Sequence, residues 1–288
     1  MDLSALQAFV AVAQNASFSH AAEQLFVSQS AISKRIAQLE TDIKAQLFDR
    51  IGRKVALTEA GHALLPRAQR LLNDAKELQR VVADLQGDIA GKLTMGTSHH
   101  IGLHRLPDPL RQFTQLHPNV ELDIQFMDSE EACHAVEVGE LELAIVTLPP
   151  TPRERLSLTT IWHDPLVFVA AKDHALCHQK SCLADLAEHP AVLPSTHTYT
   201  RGILESLLRN QGLALNVAME TNYLETLRML VSTGLGWSLL PKTLIADDIQ
   251  EIKIPKVQLQ RELGVVTHEK RSLSNAAQAM IRLCGESA

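Results

Sequence analysis

The stretch "VSQSAISKRIAQLE", residues 27–40, packs Ser28, Gln29, Ser30, Ser33, Lys34 and Arg35 into eight consecutive positions. Hydroxyl, carboxamide and cationic groups at this density can read base edges and phosphates. Gln suits adenine, Ser serves base or phosphate, and Lys and Arg meet phosphate charge. Further along, in "LFDRIGRKVALTEAG", Arg50, Arg53 and Lys54 surround Gly52, where a basic turn would rest on phosphates or enter a minor groove. From Ser28 to Lys54 six basic residues face three acidic ones, a local +3 inside a chain of net charge −6. Phosphate contact depends on the local patch more than on the total. A second dense grouping, "HALCHQKSC", brings His174, Cys177, His178 and Cys182 into nine residues, types that zinc accepts. It falls in a stretch with loop character between elements, so a solvated loop and no metal site are expected there.

The elements that position the first grouping follow from periodicity. In "LSALQAFVAVAQNA", Leu3, Leu6, Phe9, Val10 and Ala13 share one helical stripe. Ser17 offers an N-cap to a short helix reaching about Leu25, whose small Ala21 and Ala22 let a neighbour approach. "FVS" is a turn. Ser28 caps the next helix, in which Ile32, Ile36, Leu39 and Ile43 define a buried face and Ser30, Lys34, Ala37 and Thr41 the opposite one. Helix, tight turn and second helix with a polar outer face make a helix-turn-helix, whose second helix fits a B-DNA major groove. Val55 and Leu57 can return as a strand, completing a wing. Thr58 then caps a long helix predicted to run to about Ala90, with Pro66 near its start. Leu64, Ala68, Leu71, Ala75, Leu78, Val82, Leu85 and Ile89 alternate in steps of four and three, the 3.5-residue repeat of a coiled-coil seam. At about 1.5 Å per residue that helix would be about 50 Å long, too long for the surface of a compact domain.

From Lys92 the pattern changes. "KLTMGT", "VELDIQF", "LELAIVT", "LVFVAA", "LALNVAME" and "LGVVTHEK" read as strands, with helices over 102–116 and 129–138 and a helix, turn and strand in "NYLETLRMLVSTGLGWSLLP". Such alternation predicts an α/β domain with mostly parallel pairing. A chain of 288 residues with 45% hydrophobic content has room for two domains. No basic region followed by an apolar core opens the sequence, and no run approaches a membrane span, so cytoplasmic residence without membrane contact is expected. Four cysteines make no disulfide framework and suit a reducing compartment. GxGxxG, P-loop, HExxH and GxSxG patterns are absent. "GTSHHIG" approaches the last of these, but its second Gly is misplaced, so no enzyme is expected.

Residues 3–61 resemble the winged helix-turn-helix of LysR-type transcriptional regulators through "LQAFVAVAQNASFSHAAEQLFVSQSAISKRIAQLE", then "LFDR" and "LTEAG". The resemblance implies that Gln29, Ser33 and Lys34 reach the groove and that Arg50 and Arg53 meet the DNA backbone. Ser30 stands where many members have Pro, and Lys34 where many have Arg, whose planar fork Lys lacks. The long helix becomes the dimerisation linker, and a two-fold dimer implies a partly palindromic site on double-stranded DNA.

A looser resemblance continues through "FTQLHPNVELDI", "VEVGELELAIV", "LVFVAAKDHAL" and "LVSTGLGWSLLP". It implies a DNA-binding domain (1–58), a linker helix (59–90) and an effector domain (91–288). The last would hold two Rossmann-like lobes, 91–161 with 268–288 and 162–267, joined by two crossovers. Strand ends and helix N-termini would then meet at a cleft that favours anions. The candidate cleft residues are Thr97, Ser98, His99, His100, Ser129, Thr147, Thr196 and His197 in the "STHTY" loop, and Asn222. Hydroxyls and amides of this kind suit a small carboxylate or similar polar effector.

The sequence thus reads as an effector-controlled, DNA-binding regulator with no cofactor. It would associate with itself through the linker, as a dimer or a tetramer, and RNA polymerase is a further partner. The alternative is a redox- or metal-responsive regulator of the same fold using Cys177 and Cys182 or the histidines. Against it, "THTYTRG", near where the family's peroxide sensors carry their cysteine pair, has no Cys.

Overall fold

The computed structural model describes residues 2–51, 54–84 and 89–287. The chain folds as two compact units that divide at about residue 87. In the first, Asp2 caps α1 (Leu3–Asn15), its carboxylate accepting from the Ala5 N–H at 2.7 Å. The buried surface of α1 is wider than one stripe, taking in Ala5, Leu6, Ala8 and Phe9 to Val12, because α2, α3 and α4 all pack on it. Leu3, expected inside, is 49% exposed at the helix start. Ser17 caps α2 (Phe18–Gln24), and Ser28 caps α3 (Gln29–Ile43) by accepting from Ala31 N–H at 3.2 Å. Ile32, Ile36 and Leu39 are buried, while Ser30, Lys34, Ala37 and Thr41 are exposed. The faces of α3 are therefore those its periodicity predicts.

Strands β1 (Phe48–Ile51) and β2 (Lys54–Leu57) pair antiparallel, opposing Phe48 to Leu57. Phe48 fastens this ribbon to the helices, its ring 5.5 Å from that of Phe9 and 5.8 Å from that of Phe18. The wing tip, Gly52 and Arg53, lies outside the described residues. Thr58 stands between ribbon and helix: its hydroxyl donates to the Gln46 carbonyl at 2.7 Å and accepts from Gly61 N–H at 3.0 Å. Helix α4 (Glu59–Asp84) starts there.

The helix does not reach Ala90, since Ile89 and Ala90 are not helical. The seam is also shorter than its repeat suggested. Ala68 is buried in the core of the first unit and Leu64 packs on it, whereas Ile89 packs on the core of the second. Leu71 and Leu78 remain 48% and 72% exposed. Leu85 and the side chain of Val82 lie outside the described residues. A heptad register records apolar spacing but not which neighbour covers each position.

The second unit contains β3 (Gly91–Thr97), α5 (His99–His104), α6 (Pro107–Leu116), β4 (Val120–Phe126), α7 (Ser129–Val138), β5 (Leu143–Thr147) and β6 (Leu156–Ala171). There follow α8 (Ala175–His178), α9 (Leu183–Glu188), β7 (Ala191–Leu193), α10 (Tyr199–Arg209), β8 (Val217–Glu220) and α11 (Leu224–Ser232). The chain ends with β9 (Ser238–Pro241), β10 (Ile249–Ile252), β11 (Leu259–His268) and α12 (Asn275–Glu286). Seven strands form one sheet in the order β10-β6-β11-β5-β3-β4, with β9 also on β6.

Among the described strands, parallel ladders join β3 to β4 and β5, and β7 to β8; every ladder involving β6 or β11 is antiparallel. The expectation of mostly parallel pairing fails because β6 and β11 are long strands running opposite ways through both lobes. Leu263 to Thr267 pair with β5 in lobe I, so the second crossover precedes Leu263 rather than following Thr267. The expected helix over 102–116 is two, α5 and α6, since Pro107 cannot continue the first.

At Gly61 a side chain would run into the Leu47 carbonyl and the Leu57 side chain, whereas Gly202, inside α10, has nothing within 4 Å of an added Cβ. Gly61→Ala is expected to cost about 1–3 kcal/mol of stability, and Gly202→Ala to add about 0.5–1 kcal/mol. Chemical denaturation of the full chain checks both, and equal effects of the two substitutions would contradict the packing described.

Candidate functional site

The outer face of α3 presents the first group of predicted residues. Ser28, Gln29, Ser30 and Lys34 are exposed, and Ser33 and Arg35 are half-buried on its flanks. Ser28 and Ser30 share a hydrogen bond at 2.9 Å, and the Gln29 side-chain oxygen accepts from the Ser19 hydroxyl at 3.1 Å. Arg50 and Lys54 sit on opposite strands of the ribbon. Phe26, in the sequence only part of the "FVS" turn, also belongs to this surface. This residue has φ 53° and is 96% exposed beside Ser28. A large apolar side chain between two polar capped helices was the available signal.

In the second unit, the N-terminal ends of α5, α7, α10 and α11 and the β5 exit surround a polar pocket of about 60 Å³ between the lobes. Ser98, His99, His100, Ser129, Thr147 and Asn222, all predicted, line it. Three predicted residues do not. Thr97 is buried in the sheet, its hydroxyl donating to the Ile145 carbonyl at 2.8 Å, so it braces β3 against β5. Thr196 and His197 are exposed on their loop, and His197 Nε2 lies 3.4 Å from Asp128 Oδ2. The residues of that loop which reach the pocket are its last two, Thr198 and Tyr199, together with the following Thr200.

Asp128, Glu130 and Arg261 are pocket residues the sequence did not reveal. Asp128 Oδ2 accepts from Asn222 Nδ2 at 2.5 Å, and Asn222 Oδ1 accepts from Ser195 N–H at 2.9 Å. Glu130 Oε1 accepts from Tyr199 N–H at 2.5 Å, at the first turn of α10. Both carboxylates thus come from lobe I and bond to lobe II. Burial raises the Glu130 carboxyl above its ordinary range, against the lowering effect of the Tyr199 amide. Behind the pocket, Arg261 Nε donates to Asp164 Oδ2 at 2.9 Å and Nη1 to Thr200 Oγ1 at 3.1 Å.

His100 is 4% exposed, and burial together with the charge of Arg261 lowers it to about 4, so it is neutral at pH 7. Its Nδ1 lies 3.1 Å from Glu225 Oε1, and His104 Nε2 lies 3.0 Å from the same oxygen. Burial would raise the Glu225 carboxyl, but the bonds from the two histidines bring it below the usual range.

The second grouping of His and Cys is not the solvated loop expected of it, since Ala175–His178 form α8 and Cys182 stands at the N-cap of α9. Cys177 is half-buried, with burial raising its thiol, Cys182 is exposed, and neither is in a disulfide. His174 Nδ1 accepts from Leu176 N–H at 3.2 Å, capping α8.

A winged helix-turn-helix and a two-lobed α/β domain with a polar cleft together define a ligand-regulated DNA-binding protein. Comparison with known proteins gives the family. Residues 3–62 match the model of the bacterial regulatory helix-turn-helix protein, lysR family, and residues 86–288 match the LysR substrate binding domain. The chain belongs to the LysR family of transcriptional regulators. A probable RuBisCO transcriptional regulator of Synechocystis is 30% identical over 291 residues, covering 97% of this chain and 84% of the relative. Among solved structures, a full-length OxyR variant of Pseudomonas aeruginosa superposes with TM-score 0.73 at 22% identity, covering 100% of this chain and 94% of that one. Full-length CbnR complexed with its target DNA gives 0.68 at 22% identity, covering all of both chains. The relatives are transcriptional regulators, and the redox- or metal-responsive alternative is not favoured by them. Among the described residues no helix is long and apolar enough to cross a membrane.

The folded state holds the Glu130 proton more tightly than the unfolded chain does. The contribution of Glu130 to stability is therefore complete below the ordinary carboxylate range and lost as pH rises through the raised value. Asp128 raises it further and His197 lowers it. The thermal midpoint of Glu130→Gln relative to wild type is expected to climb between about pH 4 and pH 8. Paired melts at both ends check this, and a constant or shrinking gap would refute it.

Proposed function

We propose that this regulator reads a partly palindromic double-stranded DNA site as a dimer through α4, and that a small polar effector in the cleft sets the response. The observation that carries the effector reading is the pocket itself, lined from both lobes and crossed by the Asn222–Asp128 and Tyr199–Glu130 hydrogen bonds. An effector that inserts there must replace those bonds, so it changes the relative energy of closed and open lobes. That change would alter the spacing of the two helix-turn-helix heads, and with it the DNA bend or the contact with RNA polymerase.

The anionic ligand suggested by the sequence fits the Ser98, Ser129 and Thr200 side of the pocket. Asp128 and Glu130 demand hydrogen-bond donors on the other. The ligand class is accordingly a small molecule with both acceptor and donor groups, such as a hydroxy or amino acid. The domain boundaries proposed are 1–58, 59–90 and 91–288. A cytoplasmic setting suits this work, and a tetramer would need a second interface on the lobes.

On the DNA, Gln29, Ser33 and Lys34 are assigned to base edges. Ser28, Ser30, Arg35, Arg50, Arg53 and Lys54 are assigned to backbone and positioning. The resemblance of "QSAISKR" to the family's recognition helix and the exposed face of α3 support this division.

Selection of genomic fragments by the purified chain, followed by a salt titration on the best fragment, tests the reading. A few partly palindromic sites whose affinity falls steeply with salt are expected. No enrichment, with or without cell extract, would overturn it. On such a site, Ser33→Ala is expected to reduce discrimination over random DNA about tenfold. Arg53→Ala should weaken both nearly equally and lower the salt slope by about 1. Equal losses from both substitutions on both DNAs would refute the division of roles.

A further inference from the structure

Three ligating side chains meet where α5 faces α11. His100 and His104 stand four residues apart on α5, so their rings project from one face of that helix, with centroids 4.6 Å apart. Glu225, from the first turn of α11 in the other lobe, places Oε1 3.1 Å from His100 Nδ1 and 3.0 Å from His104 Nε2. All three ligand atoms lie within 4.8 Å of one another. Tetrahedral zinc, with bonds of about 2.0–2.2 Å, separates its ligand atoms by about 3.3–3.5 Å. The two histidine–carboxylate distances need only a few tenths of an ångström to reach that.

A second observation distinguishes this cluster from an ordinary hydrogen-bonded trio. Both histidines address one carboxylate oxygen, and the other, Glu225 Oε2, is buried with no hydrogen-bond partner. A buried unpartnered carboxylate oxygen is costly, and a cation beside it removes that cost. The neighbouring residue ties the two helix starts together. His99, the preceding residue, packs edge-on against Phe126 at 5.9 Å and Tyr223 at 5.4 Å, holding the start of α5 against the start of α11. The nearby cation Arg261 is committed to Asp164 at 2.8 Å.

We propose that His100, His104 and Glu225 form a binding site for one divalent transition-metal ion of the zinc class, which joins the two lobes beside the effector pocket. Each imidazole binds as the neutral ring, with its proton on the nitrogen directed away from the ion. Three protein ligands leave one position of a tetrahedron for water or an oxygen of the effector. Because two ligands come from lobe I and one from lobe II, the ion favours the closed arrangement. The site stands on its own geometry and does not depend on the effector reading.

The test is titration of Zn²⁺ into the chelator-stripped full-length protein by calorimetry, with the Co²⁺ absorption spectrum as a second readout. One ion per chain is expected, with a tetrahedral Co²⁺ spectrum. His104→Gln and Glu225→Gln, which keep hydrogen-bonding groups in place, are each expected to weaken binding at least tenfold and to abolish that spectrum. His104 is 41% exposed, so its replacement leaves the core intact. Cys182→Ser combined with His178→Gln should change nothing. Absence of stoichiometric binding would overturn the proposal. So would binding that survives both ligand substitutions, or that is lost only with the Cys182 and His178 pair. DNA selection by the same metal-free protein reports separately on the regulator reading.

Discussion

The cleft depends on one buried ion pair. Arg261 and Asp164 face each other in the antiparallel ladder of β11 and β6, where those two strands pass from one lobe to the other. Both are almost wholly removed from water, and Arg105 stands 3.7 Å from the second Asp164 oxygen. Ions in such a place cost several kcal/mol each to desolvate, so the pair is weak evidence of stability in itself. Its effect is geometric. Pairing the guanidinium with Asp164 requires one register between β6 and β11, and its bond to Thr200 Oγ1 ties it to the first turn of α10. The pocket wall from lobe II is thereby set by a charge in the hinge.

That commitment also decides the electrostatics of the pocket. With Arg261 bound to Asp164 and His100 neutral, the carboxylates Asp128 and Glu130 dominate the space. A cleft ringed by four helix N-termini attracts anions in principle. Here Glu130 already occupies the first amide of α10, and Asp128 holds Asn222 beside the start of α11. The protein supplies its own anions to its own helix ends, so a ligand of the kind proposed would have to offer donors as well as acceptors.

The features legible in the sequence were those whose cause is local. Caps at Ser17, Ser28 and Thr58, the 4-3-4 spacing of Ile32, Ile36, Leu39 and Ile43, and the bounds of α7 all follow from neighbours within a turn or two. What could not be read was decided by distant partners. The run "LSLTTIWHDP" carries polar residues and a proline, yet it forms more than half of β6 because β11 returns beside it. Ala68 fitted a heptad seam but serves another core. Thr97 had the right chemistry for the pocket and faces the sheet instead, since alternate strand positions point oppositely. Arg261 and Asp164, like His104 and Glu225, lie about a hundred residues apart in the chain and carry no shared spacing that a single sequence could display.

The energetic scale of the cleft suits the switching proposed for it. Charge-assisted hydrogen bonds cross between the lobes from Asn222 to Asp128, from Tyr199 to Glu130, and from the histidines of α5 to Glu225. Bonds to charged groups contribute about 1.5–3 kcal/mol each. Moving a two-state equilibrium from one extreme to the other requires about 5.5 kcal/mol of differential binding. An effector that exchanges even two of these bonds for its own therefore acts on a quantity of the right size. A far larger number of cross-lobe bonds would hold the lobes in one state whatever the ligand, and a far smaller one would give the ligand nothing to displace. The switching proposed would thus rest on a few strong polar contacts between lobes that share the Arg261–Asp164 pair.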